Sequence, residues 1–546
     1  MQRIDSANIT LRGELRARII KNFARLQDRP YLPEHVGLSP YMSMGWDGDW
    51  EGRTILALAL EEEALGTESA FLDDIVRWVR SICNSAGYRG ELLDMRRINE
   101  QQLAAHSWLM RGLIAYQRRR NAEWVREWID QILDRLYLPV AEYLIHYPQT
   151  PEDRRQRDFD AQAGKITDHF NEWILSSDIG CLFISIDGLT EAYAYTGRAD
   201  VRALVEGMIQ IFVRQDYAGT PLQTHACLTG MRGVMRAYRQ TGRAEYLKSV
   251  QDFMEIYKRH GMTEFFANFD WFSTPLWTEP CGVIDSWMLA VQLWEATKNQ
   301  DYLNFAQLIW YNGLMRGQRP NGGFGCDSCG EDGWLRPMVD FYEAYWCCTM
   351  RGGEGLTEPI RSAFYTDGDA VVIAHYADAD IRLPDGRTLR LRAHLPESGV
   401  ITIQCDAPAA VHLKLFIPDY AVNPEIALGD DALAVDVRAG FADVRADFSH
   451  GDTMRLTFDL KLNLYPTCGA IHEGAKRFTL RAGAMVLATE KGTTQPIQIA
   501  DVRRLSPNEY EVQNRKFVPL HSAWRMDTEV LKRTQYQILF GNSNEP

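Results

Sequence analysis

The sequence lacks three features that would mark a membrane, secreted or nucleic-acid-binding protein. No apolar run approaches the roughly 20 residues of a membrane-spanning helix. The first residues, Met1 to Thr10, contain no apolar core of a signal peptide. Positive charge is in deficit, since 59 Lys and Arg face 73 Asp and Glu and leave a net charge of -14. We therefore expect a cytoplasmic protein that binds neither membranes nor nucleic acids.

A low-complexity linker is also missing, although 546 residues exceed what one hydrophobic core usually holds. We therefore expect two or three domains that pack as one body. Up to residue 365 the apolar spacing is helical, as in 200–214. Segment 192–200 resembles 236–245, and each reads as a helix, a polar turn and the next helix. A helical hairpin repeated at roughly this period predicts an (α/α)6 barrel for residues 1–365.

After residue 365 the apolar spacing changes to two, which is typical of β-strands. Turn signals such as 366–369 and 450–452 separate the short strands. This pattern predicts an antiparallel β-sandwich over 366–462 and a second small β-rich domain over 463–546. The first residues of the chain, about 12 of them, are expected to pair with the sandwich. The predicted class is α+β multidomain, with the barrel followed by the sandwich.

Ten cysteines without a secretion signal favour free thiols. Cys347 and Cys348 are neighbours, and neighbouring cysteines rarely form a disulfide without strain. Glu279 and Cys281 flank a proline, so they lie in an extended segment and point the same way. Together the four residues offer three thiolates and one carboxylate, a complete set for one tetrahedral Zn²⁺. The alternative is that these cysteines are buried core residues with no common role.

A second pair, Cys326 and Cys329, has the C-x-x-C spacing that is common in zinc and redox sites. It competes with the first set for the metal. No matching pair is evident for it unless Cys347 and Cys348 supply one. We interpret it as a loop feature near the site.

The Glu279-Pro280-Cys281 segment together with Cys347-Cys348 resembles the E-x-C…C-C pattern of glycoside hydrolase family 127 and its relatives, the β-L-arabinofuranosidase group. Weaker matches extend along nearly the whole chain. They lie at Trp46–Asp49, Ala105-His106, Thr224–Ala226, Glu264–Phe266 and Phe478–Ala484.

The resemblance implies a zinc-dependent retaining exo-glycosidase that releases β-L-arabinofuranose or a related rare sugar from plant-type glycans. It implies that Cys347 is the nucleophile and that Glu264 is the general acid and then the general base. The Zn²⁺ ligands would be Glu279, Cys281, Cys347 and Cys348. The residues that would contact the sugar are His106, His225, Asp47, Asp49 and Trp346.

Several alternatives stay open. Glu343 and Glu354 lie near the cysteines in sequence and rival Glu264 as the acid. His106 and His225 could be satisfied core residues, and Asp47 and Asp49 could cap the following helix. The chain departs from the family pattern after the cysteine pair, at 349–351. Among functions, the rivals are a lyase or epimerase on the same toroid and a non-catalytic carbohydrate-binding protein with a structural zinc. A homodimer is also possible.

Overall fold

Twelve helices build a double ring in the part of the chain that the computed structural model describes, which is residues 1–36, 45–154, 163–434 and 436–542. In chain order they are α1 Gly13–Arg25, α2 Asp49–Leu65, α3 Leu72–Ser81, α4 Glu100–Arg120, α5 Glu123–Ile132, α6 Ile184–Thr196, α7 Ala199–Phe212, α8 Thr224–Thr241, α9 Ala244–His260, α10 Pro280–Thr297, α11 Gln300–Leu308 and α12 Cys348–Thr357. α11 continues through a π-helical turn, Ile309–Leu314, and a last turn, Met315–Gly317.

The even-numbered helices form the inner ring. Each packs against the next even-numbered helix, and α12 closes the ring against α2. Inner helices are buried on every side, so α10 is buried from Pro280 to Trp294. Outer helices bury one stripe, as α3 does with Leu72, Ile75, Val76 and Val79. The predicted (α/α)6 barrel is confirmed.

The inner helices α2 and α4 approach closely because both carry glycine at the crossing. A Cβ on Gly52 would lie 2.1 Å from the backbone nitrogen of Leu109, and a Cβ on Gly112 would lie 2.5 Å from the carbonyl oxygen of Gly52. Larger side chains at either position would push the two helices apart. The narrow crossing therefore depends on these two glycines.

A β-sandwich follows the barrel. The strands of one sheet, in spatial order, are Gln2–Arg3, Phe364–Asp367, Ala370–Ile373, Ala409–Phe416, Phe441–Phe448 and Asp436–Arg438. Those of the other are Asp431–Leu433, Ala421–Leu428, Thr453–Leu460, Gly399–Cys405, Thr388–Ala393, Ala379–Arg382 and Ile9–Leu11. All neighbouring pairs are antiparallel except 370–373 with 409–416, which is parallel. Alternate residues are buried, so the two sheets share one core with the barrel.

The N-terminal strands contribute one edge strand to each sheet. Gln2–Arg3 pairs with Phe364–Asp367, and Ile9–Leu11 pairs with Ala379–Arg382. The division of the chain at residues 365 and 462 stays a prediction.

The C-terminal part forms a further antiparallel sheet with its own small core. Its strands in spatial order are Leu462–Pro466, Phe478–Ala482, Met485–Ala488, Arg515–Pro519, Glu509–Val512 and Arg503–Ser506. Short helices occupy Pro359–Ser362 and Thr528–Arg533. No helix among the described residues is long and apolar enough to cross a membrane.

Two smaller sheets cover one end of the barrel. One contains Phe269–Trp271, Thr274–Thr278, Asp327–Cys329, Trp334–Pro337 and the C-terminal strand Tyr536–Gln537. The other contains Ile98–Asn99, Trp173–Ser176 and Ile166–Phe170. The strand Thr274–Thr278 runs directly into α10, so this sheet fixes where that helix begins.

Candidate active site

Four predicted metal ligands meet at the start of two inner helices. One ligand atom from each of Glu279, Cys281, Cys347 and Cys348 lies within 4.8 Å of the others. The sulfur of Cys348 is 3.5 Å from that of Cys281 and 3.4 Å from that of Cys347. The segments are distant in sequence but adjacent in space because α10 and α12 are neighbours in the inner ring.

Local backbone geometry aims these side chains at one point. Glu279 is the extended residue before α10, and Pro280 opens the helix at a position where no N–H is needed. Cys347 precedes α12 with φ -146° and ψ -65°, and this bend lets neighbouring cysteines face the same space. The two segments, Glu279–Cys281 and Cys347–Cys348, lie at the N-termini of α10 and α12. The partial positive charge of a helix N-terminus favours the ionised forms of thiols and carboxyl groups.

The donor set fits a thiophilic divalent metal. Burial raises the pKa of Cys281 and of Cys348 well above the usual range of a thiol. For Cys347 the hydrogen bond with Cys281 lowers the pKa, but Cys348 and burial outweigh it and raise the pKa well above that range. The three thiols meet at one place and resist ionisation there. A bound cation would stabilise their thiolate forms, which explains why they lie together.

Three members of the cluster, Glu279, Cys347 and Cys348, line a cavity of about 460 Å³ at the end of the barrel where α10 and α12 begin. Cys281 and Cys348 have no exposed surface, whereas Cys347 is half-buried. Aromatic walls are supplied by Trp46, Trp277, Phe341 and Trp346. The carboxyl groups that line the cavity belong to Asp49, Asp178, Asp270, Glu279 and Asp340. Aromatic faces beside several polar groups suit a small polar ligand such as a sugar.

An arginine from a third inner helix reaches the cluster. Arg53 Nη1 lies 3.5 Å from the sulfur of Cys281. Two hydrogen bonds of 2.7 and 3.0 Å hold Arg53 on the carboxylate of Asp49, one helical turn earlier. The ring of Trp108 lies 4.2 Å below the guanidinium. Asp49 therefore orients a cation beside the thiols.

His225 connects the proposed ligand Glu279 to the interior of the barrel. Its Nδ1 lies 3.2 Å from Glu279 and its Nε2 lies 3.5 Å from Asp285. Burial alone would raise the pKa of Glu279, but His225, Asp270 and Arg53 together lower it below the usual range. Such a histidine restricts the orientation of the carboxylate, as outer partners of metal ligands commonly do.

None of the three glutamates considered as the acid lines the cavity. Glu264 accepts hydrogen bonds from the backbone N–H groups of Cys468 and Gly469, at 3.1 and 2.8 Å. Glu343 pairs with Arg25 at 2.8 Å. Glu354 is buried among Arg111, Arg232 and Arg351 inside the barrel. Their roles stay predictions.

The predicted sugar contacts divide into two groups. His225, Asp49 and Trp346 line the cavity. His106 and Asp47 do not. His106 is fully buried, with Nδ1 2.7 Å from the carbonyl oxygen of Gln102 and Nε2 accepting from the N–H of Arg89 at 3.0 Å. Asp47 lies 3.4 Å from Arg89. The environment of His106 is that of a satisfied core histidine.

Several cavity residues were not predicted as site residues, and those with charged side chains are Arg53, Asp178, Asp270 and Asp340. Cys326, which was predicted to be a loop feature near the site, also lines the cavity. The sequence could have indicated Arg53, because it follows Asp49 by four residues and therefore lies on the same face of a helix. Asp270 is 1% exposed, and neither of its oxygens makes a hydrogen bond of normal geometry within the described residues. Burial and the neighbouring Glu279 raise the pKa of Asp270 well above its usual range. No local pattern marks it.

No protein-family model matches the sequence. No curated protein sequence matches it either. Solved structures do match. One described as a GH127 β-arabinofuranosidase aligns with a TM-score of 0.70 at 11% identity, over 100% of this chain and 98% of its own. A GH127 β-L-arabinofuranosidase from Geobacillus stearothermophilus T6 aligns with a TM-score of 0.65 at 13% identity, over 98% and 100%. A third, described as a glycoside hydrolase, aligns with a TM-score of 0.67 at 11% identity, over 99% and 97%. Over its whole length, the chain has the fold of the GH127 β-arabinofuranosidases, as the resemblance predicted.

Proposed function

We propose that this protein is a metal-dependent glycoside hydrolase whose nucleophile is the thiolate of Cys347. The main support for the proposal is the cluster of three thiols and one carboxylate, of which Glu279, Cys347 and Cys348 line a sugar-sized cavity. Cys347 is the one cysteine of the cluster with exposed surface, so it is the sulfur that a substrate could reach. The fold shared with the GH127 structures supports the same reading.

The residues of the cluster would hold Zn²⁺, which would keep the thiols deprotonated near neutral pH. In the first step the sulfur of Cys347 attacks the anomeric carbon, and a C–S bond forms as the glycosidic C–O bond breaks. The leaving oxygen takes a proton from a carboxylic acid. Water then attacks the same carbon and returns its proton to that carboxylate as the C–S bond breaks. Two displacements retain the configuration of the sugar.

Of the predicted acids Glu264, Glu343 and Glu354, we compare Glu264 with Asp270, a carboxyl group that lines the cavity. Glu264 is the residue that the resemblance implies, and in this conformation it bonds to the backbone of 468–469. Asp270 lies in the cavity wall, buried and without a normal hydrogen bond among the described residues. Its location makes Asp270 the stronger candidate, because an acid must reach the leaving oxygen.

The substrate that we propose is a terminal β-L-arabinofuranoside or a related neutral rare sugar. Five carboxyl groups line the cavity against the two basic side chains of Arg53 and His225. This excess of negative charge disfavours anionic sugars such as uronates. The aromatic walls suit the apolar faces of a sugar ring.

A screen of p-nitrophenyl furanosides and pyranosides, L-arabinose included, tests the activity. We expect hydrolysis of a furanoside by the zinc-loaded protein and a loss of at least about 10³-fold in Cys347→Ala. Cys329→Ala is the matched control, since Cys329 is a buried cysteine outside the cavity lining. Unchanged turnover in a folded Cys347→Ala protein would rule out the thiolate mechanism and favour a structural metal.

Comparing leaving groups separates the two acids. Removing the true acid should slow glycosides with poor leaving groups much more than p-nitrophenyl glycosides, because a good leaving group needs little protonation. We expect this pattern in Asp270→Asn. Finding it in Glu264→Gln instead would restore the assignment that the resemblance implies.

A further inference from the structure

Arg53 is a buried cation whose position beside the thiols the proposed reaction leaves unexplained. Its side chain is 4% exposed and lines the cavity. Its Nη1 donates a hydrogen bond to the sulfur of Cys281, with 3.5 Å between nitrogen and sulfur. Burying a charged group costs free energy unless its partners compensate for the lost water. The partners of this cation therefore indicate what it stabilises.

The guanidinium of Arg53 is held in one orientation. Its Nε and Nη2 donate to the two carboxylate oxygens of Asp49 at 2.7 and 3.0 Å. The guanidinium carbon lies over the ring of Trp108, 4.2 Å from the ring centre. The fork to Asp49 uses one edge of the planar group, so Nη1 is left to bond to Cys281. The N–H···S contact therefore follows from a rigid arrangement of three neighbours.

The cluster needs a nearby positive charge when its metal is bound. Three thiolates and one carboxylate carry four negative charges, of which Zn²⁺ balances only two. Most of the cluster is buried, so water compensates poorly for the remaining negative charge. More carboxyl groups line the cavity, at Asp49, Asp178, Asp270 and Asp340. Arg53 places a positive charge in direct contact with one of the sulfurs.

The bond from Arg53 goes to a sulfur that substrate does not reach. Cys281 has no exposed surface, whereas Cys347 is half-buried. A hydrogen bond to a thiolate lowers its basicity, and the nucleophilicity of a thiolate falls with its basicity. The bond therefore suits Cys281 to the role of a permanent ligand. The more exposed Cys347 is left as the sulfur that reacts.

We propose that Arg53 is a positioning residue of the metal centre, which balances the negative charge of the thiolates and keeps Cys281 in place as a ligand through the N–H···S bond. Asp49 acts through Arg53, because it fixes the orientation of the guanidinium. The inference rests on the proposed function for the presence of the metal. It concerns metal affinity, however, and is tested without turnover.

Zinc affinity under reducing conditions, measured by chelator competition, tests this role. We expect Arg53→Met to bind zinc about 10- to 100-fold more weakly than the wild type, as the loss of an outer partner of a metal ligand commonly does. Arg53→Lys keeps the positive charge without the fork, so it should bind zinc more tightly than Arg53→Met. Equal affinities of the Lys and Met variants would contradict the charge balance.

A double variant separates this role from a purely structural one. Arg53→Met/Asp49→Leu removes the whole ion pair, so it leaves neither charge buried without its partner and should fold stably. It still lacks the N–H···S bond to Cys281, so its zinc affinity should stay about 10-fold or more below that of the wild type. Wild-type affinity in the double variant would overturn the proposal and leave Arg53 a structural role alone.

The matched control is Arg89→Met/Glu51→Leu. Glu51 lies on the same helix, α2, its ion pair with Arg89 measures 2.8 Å, and both residues lie outside the cavity lining. Removing this pair should leave zinc affinity within about threefold of the wild type. A loss as large as that of the Arg53 pair would assign the effect to the fold. Turnover by Cys347→Ala would overturn the proposed nucleophile without changing these affinities, whereas a wild-type protein that binds no zinc would overturn both proposals.

Discussion

Replacing Arg53 by Met should destabilise the barrel because it leaves the buried carboxylate of Asp49 without its partner. The two side chains are 4% and 9% exposed and share a fork of two hydrogen bonds. Unit charges about 4 Å apart at an effective dielectric constant of about 20 attract by about 4 kcal/mol. Removing one partner of a buried ion pair commonly lowers the free energy of unfolding by about 3–5 kcal/mol, which agrees with this Coulomb estimate.

Thermal unfolding of the apoprotein measures this cost. Globular proteins unfold with about 2.1 cal/mol/K of entropy per residue, so a chain of 546 residues that unfolds as one body loses about 3–4 °C in melting temperature for about 4 kcal/mol. The control is Arg53→Met/Asp49→Leu, which removes both charges and should recover most of the loss.

The pH dependence gives an independent check. Burial raises the pKa of Asp49 even beside Arg53, which lowers it. A carboxyl group with a raised pKa destabilises the folded state as pH rises through that pKa. The Arg53→Met penalty should therefore be smaller near about pH 5 than near about pH 8. A loss below about 2 °C, or an equal loss in the double variant, would refute the reasoning.

Three other predictions concern packing, the metal and acid stability. Gly112→Ala should cost about 1–3 kcal/mol or more by thermal unfolding because its Cβ would meet a carbonyl oxygen at 2.5 Å, whereas Gly207→Ala, whose nearest contact is 3.5 Å, should be neutral or stabilising. His225→Gln should weaken zinc binding about 10- to 100-fold in chelator competition while the fold persists; unchanged affinity would contradict its role beside Glu279. Burial lowers the pKa of His106 to about 4, so stability should fall as pH drops from about 6.5 towards 4. A His106→Gln variant should lose less stability over that interval in denaturant titrations; a slope equal to that of the wild type would assign the loss to other groups.

The sequence could predict the barrel because its signal is local. Inner and outer helices differ in how many of their faces are apolar, and the hairpins repeat. The cysteine cluster could also be predicted, because three thiols and one carboxylate match the ligand set of a tetrahedral zinc site. The prediction of the barrel depends on residue types and spacing alone, whereas the choice of a metal cluster over unrelated buried cysteines depended on the resemblance to the family.

Contacts between distant segments could not be predicted. The direction of Glu264 depends on N–H groups more than two hundred residues later, at Cys468 and Gly469. The sequence left His106 as a candidate sugar contact or a core residue, and only the structure shows that the N–H of Arg89 and the carbonyl oxygen of Gln102 occupy both of its nitrogens. The ion pair of Asp49 could have been predicted from the sequence, because Arg53 lies one turn away on the same helix.

The two strands near the N-terminus have a consequence for synthesis. Residues 2–3 and 9–11 pair with strands that begin at 364 and 379. A ribosome that adds about 5–20 residues per second produces those partners roughly 20–70 s after the N-terminal strands. During that interval the early strands have no sheet to join. A chaperone that shields them, or a ribosomal pause after residue 382, should therefore improve the yield of folded protein more than changes within the barrel helices.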